Sequence, residues 1–315
     1  MNVFDPALYA PSATFMGAPL SYDLSAAKAA ILGIPFDCGL HPVRVGARLG
    51  PAAIREQSVL VRAYEPPCQD YNVLERLGVV DCGDVRVHSA AIKASHECIE
   101  EAVWRIASAG TVPVTMGGDG AVTLPQLRAM HRLYPDLVVL HIDAHTDTFP
   151  GDGPDERHRF NTATTFTRAA EEGLVSPKDS FHLGPRGATY LPAAWSYAEA
   201  LGYQVIPDHV CRKRGMAVIV EEIRAKLQGR PVYLCFDMDY FDPSCAPGVC
   251  TPTWGGASAY DGLSLLRAFA DLKIVACDLN TVSPPHDVGG MTAFLAATCL
   301  RECLYLVDAG RHKYG

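Results

Sequence analysis

Short apolar, β-branched runs recur along the chain, with stretches of helical spacing between them. Residues 29–33, 78–81, 111–116, 137–140, 180–183, 203–206, 232–236 and 274–277 each read as a strand. Runs that do not alternate with polar residues suit strands covered on both faces. Helical spacing fills 90–108 and 124–133, and a further helix is predicted from about Pro51, where proline suits the first turn. About eight alternating units predict an α/β fold with a mostly parallel sheet and helices on both faces. In such sheets ligands bind beyond the carboxyl ends of the strands. Residues 1–28 are punctuated by Pro and Gly and are expected to wrap the surface of a single domain spanning 1–315.

Two of the apolar runs end in acid. Leu137-Val138-Val139-Leu140 leads into Asp143, His145 and Asp147, two residues apart, which would share one face of an extended segment. Val232-Tyr233-Leu234-Cys235-Phe236 leads in the same way into Asp237 and Asp239. Unpaired carboxylates at buried strand ends repel and are costly to desolvate, and a shared cation removes that cost. Neither motif contains a Lys or Arg to do so instead. Carboxylates capping helices remain the plain reading of either motif alone. Together they point to a divalent ion, with Mn, Fe, Ni and Zn all admissible.

Composition narrows the partners. The net charge of −8 argues against nucleic acid or an anionic membrane, and leans toward a small cationic molecule. No apolar run approaches the roughly 18 residues needed to cross a bilayer, and the N-terminus lacks a signal-peptide pattern, so a cytoplasmic location is expected. Eleven cysteines without a Cys-x-x-Cys pair predict neither a disulfide framework nor a zinc ribbon. Cys299 and Cys303, four apart on an apolar helix, read as core. Cys245 and Cys250 lie near the acidic motifs but have no evident activating base. Gly117-Gly118-Asp119-Gly120 matches no phosphate-binding fingerprint and reads as a tight turn that brings backbone close to the site. His141 reads as a residue that packs beside the ligands or supports them.

The segments 46–55 (Gly-Ala-Arg-Leu-Gly-Pro-Ala-Ala-Ile-Arg), 117–119 (Gly-Gly-Asp), 143–147 (Asp-Ala-His-Thr-Asp), 237–243 (Asp-Met-Asp-Tyr-Phe-Asp-Pro) and 282–285 (Val-Ser-Pro-Pro) together resemble the ureohydrolase (arginase/agmatinase) family. The similarity runs in order over nearly the whole chain and is nearest to agmatinases and guanidino-acid hydrolases. It implies a three-layer α/β/α fold, a homotrimer or homohexamer, and a paired-manganese centre that activates water against a guanidinium carbon and releases urea. By the same resemblance Asp143 and Asp237 are the bridging carboxylates, His145 and Asp239 complete one metal, and Asp147 belongs to the other.

Five positions depart from that pattern, Cys250 and Trp254 by standing where the resemblance implies smaller or acidic residues in the 247–256 loop, and three others by losing a functional side chain. Gly120 stands where the resemblance implies a histidine ligand, Thr162 where it implies a histidine near the substrate, and Thr281 where it implies a glutamate that pairs with guanidinium. His131 and His158 are the candidates for replacing the lost nitrogen. The expectation is therefore a metal-dependent C–N hydrolase acting on a guanidino, amidino or related small molecule. One ion would be held firmly and the second weakly, with Asp147 orienting water and Asn161 in the substrate loop. The alternatives are a catalytically silent homologue that binds a ligand or supports a partner subunit, and a biosynthetic enzyme with a neutral substrate.

Overall fold

The computed structural model describes residues 13–41, 43–88 and 91–314. Among them, β1 (Ala29–Gly33), β2 (Val80–Asp84), β3 (Val112–Met116), β4 (Val138–Ile142), β5 (Phe181–Leu183), β6 (Gln204–Ile206), β7 (Val232–Asp237) and β8 (Ile274–Asn280) form one sheet in the order β2-β1-β3-β8-β7-β4-β5-β6. Every pairing is parallel, so the mostly parallel sheet expected is wholly so. All eight strands fall at the predicted runs. β2, β4, β7 and β8 continue past them, to Asp84, Ile142, Asp237 and Asn280, because their ends are still paired to neighbours.

Alternate side chains of each strand enter two separate cores. Ile31, Val114, Leu140, Leu234 and Phe236 share one core with Leu300, Leu304 and Val307 of the helix Met291–Tyr314 and Ile219 and Ile223 of the helix Met216–Leu227. Ala30, Leu32, Val139 and Tyr233 meet the helices Ile92–Ser108 and Thr123–His131 through Ile99, Val103, Leu124 and Leu127. Two apolar faces on every strand require helices on both sides, which gives the three layers.

Of the N-terminal segment, residues 1–12 lie outside the described residues. In residues 13–28, Phe15, Ala18 and Ala27 are buried and the others are exposed or partly so. Phe15 is fully buried, and Leu20 makes a parallel bridge to Asp81 on the edge strand β2. Arg55 anchors this corner, since its Nε and Nη2 each lie 2.8 Å from Asp81, whose Oδ2 also accepts the Phe15 N–H at 2.8 Å.

The sheet order places β3, β8, β7 and β4 side by side, so the loops leaving four adjacent strands crowd one patch at their carboxyl ends. Register does the rest. Ile142 faces Phe236 and Asp237 faces Asn280, so Asp143 and Asp237 are the next neighbours in one row across the sheet. Neighbouring parallel strands lie about 4.8 Å apart, which brings the two carboxylates together.

Candidate metal centre

Asp143, Asp147, Asp237 and Asp239 are all buried, and His145 is partly exposed at the mouth. Their convergence does not arise from strand alternation as the sequence suggested. β4 stops at Ile142 and the chain then bends. The Asp143 carboxylate accepts the backbone N–H of His145 at 2.6 Å, and the Asp237 carboxylate accepts that of Asp239 at 2.7 Å. In each motif the first aspartate thus closes a small turn around itself, and the side chain two residues on swings back beside it. Asp147 sits at φ +51°, a left-handed conformation that Asp tolerates better than most residues.

His145 Nδ1 lies 3.2 Å from Asp143 Oδ1 and 3.1 Å from Asp239 Oδ2, and its Nε2 lies 3.4 Å from the Thr253 hydroxyl. One ring nitrogen faces the carboxylates while the other is held from outside, the usual arrangement of a ligating histidine. Asp239 Oδ1 accepts the Ala144 N–H at 3.2 Å, tying the two motifs together. Two groups of side chains offer ligand atoms within 4.8 Å of one another: Asp143 with His145 and Asp239, and Asp143 with His141 and Asp147.

Among the described residues, no Lys or Arg lies within 4.0 Å of these four carboxylates. Burial, then the charge of Asp143, pushes the Asp147 carboxyl well above its usual range. Burial with the charges of Asp239 and Asp143 does the same to Asp237, and burial and Asp143 push Asp239 up to about 6. Asp143 goes the other way, because the His141 and His145 imidazoles outweigh its burial. Burial opposes the charge of His145 too, but Asp239 and Asp143 hold its imidazole protonated well above the usual range. Asp143 Oδ2 is buried without a well-directed hydrogen bond. Clustered oxygens, one of them orphaned, with only the imidazoles of His141 and His145 and no Lys or Arg to balance them, fit a divalent ion.

A Cβ on Gly120 would stand 3.3 Å from Asp147 Oδ2 and 2.8 Å from the Thr162 methyl, so residue 120 does adjoin the site and Thr162 occupies its approach. The turn before it requires glycine: φ is +88° at Gly117, where a Cβ would meet Pro51 Cδ at 2.3 Å, and +73° at Gly118. This turn is laced to β8 through Gly117 N–H to Leu279 O and Thr281 N–H to Gly118 O, each 2.8 Å. The Thr281 hydroxyl donates to Asp237 Oδ1.

His131 gives Nδ1 to the Leu174 carbonyl, and His158 lies in the short exposed helix Glu156–Arg159, not on a loop, and pairs with its N-cap Asp155, so neither replaces the missing nitrogen. Asn161 is buried with Nδ2 donated to the carbonyls of Arg157 and His158, leaving Oδ1 without a partner. Cys250 lies at the mouth with Asp37, His41, Arg44, Asp119 and Thr162. Burial pushes its thiol far up, and that of Cys245 up as well, which disfavours either as a nucleophile. Cys299 and Cys303 are core residues. Sequence reasoning did not find His41, which bonds the Thr251 hydroxyl at 2.9 Å, or His182, which lies 2.8 Å from His141. Both contacts join segments far apart in sequence, and only strand register could have signalled the second.

The sequence pattern of the Arginase family matches residues 27–305. The mitochondrial guanidino acid hydrolase of Homo sapiens is 35% identical over 92% of this chain and 81% of its own length. The guanidinobutyrase of Pseudomonas aeruginosa is 35% identical over 90% of this chain and 87% of its own. Among solved structures, the proclavaminate amidino hydrolase of Streptomyces clavuligerus superposes with a TM-score of 0.89 at 32% identity, covering 96% of this chain and 99% of that one.

Proposed function

The chain belongs to the arginase family, and on that premise we propose that it is a metal-dependent hydrolase cleaving a C–N bond of a guanidino or amidino small molecule. The observation that carries this is the gathering of Asp143, His145 and Asp239, with the buried Asp237 close enough at the end of β7 to feel the charges of Asp143 and Asp239, and with no Lys or Arg paired to the carboxylates among the described residues. Those four residues would hold one divalent ion firmly, manganese first and zinc, iron or nickel also compatible with the donors. Asp143 and Asp147 face a second position that receives no side chain from Gly120. Bound there, such ions supply a water of pKa about 7 and polarise the scissile group.

The chain's own residues do the remainder. Asp147 orients the attacking water from above the turn at Gly120. Asn161, buried with its Oδ1 unpartnered, would accept from a substrate N–H that reaches it. Thr281 spends its hydroxyl on Asp237 and carries no charge toward the substrate, so the site selects less strongly for a full guanidinium than a glutamate would. The names of the relatives support guanidino and amidino acids as the class to try first. We further assign a cytoplasmic homotrimer or homohexamer. No described helix is long and apolar enough to cross a membrane.

The silent-homologue reading has one observation in its favour, the Thr162 methyl filling the approach of residue 120. Urea or ammonia release separates the two. The Mn²⁺-loaded protein is expected to release urea or ammonia from at least one compound in a panel of guanidino and amidino acids. Firm metal binding with no release from any of them would favour the silent homologue.

A further inference from the structure

We propose that His141 supplies the nitrogen ligand of the second ion, together with Asp143 and Asp147, in place of the side chain that Gly120 lacks. The proposal rests on the metal-dependent reading above and adds to it a ligand from a different part of the fold. His141 lies on β4 itself, one position before its end, so it would reach the ion from the floor of the site and not from the β3 loop.

Four features carry it. A ring nitrogen of His141 and one carboxylate oxygen each of Asp143 and Asp147 lie within 4.8 Å of one another, a group that shares only Asp143 with the His145 and Asp239 group. The shared Asp143 would let one carboxylate serve both positions. Next, His141 Nε2 lies 2.8 Å from Asp143 Oδ2, yet that oxygen accepts no well-directed hydrogen bond. Adjacent ligand atoms on an octahedral ion with bonds of about 2.1 Å stand about 3 Å apart, so the spacing suits two ligands of one ion as well as it suits a donor and acceptor.

Third, the other ring nitrogen is already spoken for. His141 Nδ1 lies 2.8 Å from His182 Nδ1, and the two residues are direct partners in the β4–β5 register. A ligating histidine hands its second nitrogen to such a neighbour, which fixes the tautomer that leaves Nε2 free to bind metal. The same division of labour is visible at His145, between the carboxylates and Thr253. Fourth, the His141 ring has no freedom to point elsewhere. It is buried, with ring centres 4.4 Å from Phe166 and 5.0 Å from His182. An imidazole in place of water makes the second position far stronger than carboxylates alone would.

The test is the number of Mn²⁺ ions bound per full-length chain by equilibrium dialysis, combined with X-ray absorption at the manganese edge to count imidazoles. Two ions with an average of one imidazole each are expected. The variant His141→Phe keeps the ring packing, and should weaken the second ion at least about tenfold and leave one ion with one imidazole. Adding Gly120→His with Thr162→Ala to that variant, which opens the approach of residue 120, should restore the second ion. Two ions sharing a single imidazole, or a His141→Phe protein that binds both ions unchanged, would overturn the role of His141 and leave the metal-dependent reading standing. A wild-type chain that binds one ion only would do the same. A chain that binds none would remove both.

Discussion

The Thr281 hydroxyl donates a hydrogen bond to Asp237 Oδ1 from a backbone held at φ +68°. A β-branched residue in that region carries strain of about 1–3 kcal/mol, which the surrounding turn must hold in place. The Gly118 carbonyl does so by accepting the Thr281 N–H. Thr281→Val keeps shape and strain but removes the donor. Metal affinity should fall about 10–100-fold, the usual cost of losing a partner of a ligand. Chelator competition on the two proteins measures it, and equal affinities would show that the hydroxyl does not position Asp237.

The acidic centre makes stability depend on pH in a direction that metal should cancel. Asp147 and Asp237 are raised well above the usual range and Asp239 is raised to about 6, whereas an unfolded aspartate titrates near about 3.9. Between those values the folded chain binds more protons than the unfolded one, so these groups stabilise at low pH and lose that contribution as pH rises. Asp143, shifted downward, has its contribution complete above about pH 4 and does not vary in this window. His145, raised above its usual value, adds a loss of the same sign at higher pH. Chelated protein should therefore lose thermal stability from pH 5 to 7.5. The gain in melting temperature on adding Mn²⁺ should grow over the same interval. A gain independent of pH would contradict the charge cluster.

At the far edge of the sheet, Asp81 accepts two bonds from Arg55 and one from the Phe15 N–H, all within the protein interior. Asp81→Ala leaves the guanidinium with the Gly83 carbonyl and the partly exposed Asp84. A loss of about 2–4 kcal/mol is expected in urea unfolding, because the buried Phe15 N–H loses its acceptor and Arg55 keeps only one, partly exposed, carboxylate. Metal affinity should be unchanged, since β2 is separated from β7 by three strands.

Much of the site was legible because an apolar run that ends in aspartate is a local signal, and Asp143 and Asp237 each follow one. The way the ligands converge was not legible. Strand alternation brings Asp143 and His145 to one face on paper, but the chain bends there through a backbone bond to the Asp143 carboxylate. The eight strands were likewise local. Their order was not, and the placement of β8 between β3 and β7, which brings Thr281 to Asp237, depends on long-range packing. The His141 and His182 contact needs a register of parallel strands 41 residues apart, which neither periodicity nor motif encodes.

Calorimetric titration of Mn²⁺ into chelated full-length protein at neutral pH tests the central claim most directly. At least one tightly held ion per chain is predicted for the wild type, lost in both Asp143→Ala and Asp237→Ala while each variant remains folded. A wild-type chain that takes up no ion, or variants that bind as it does, would contradict the account.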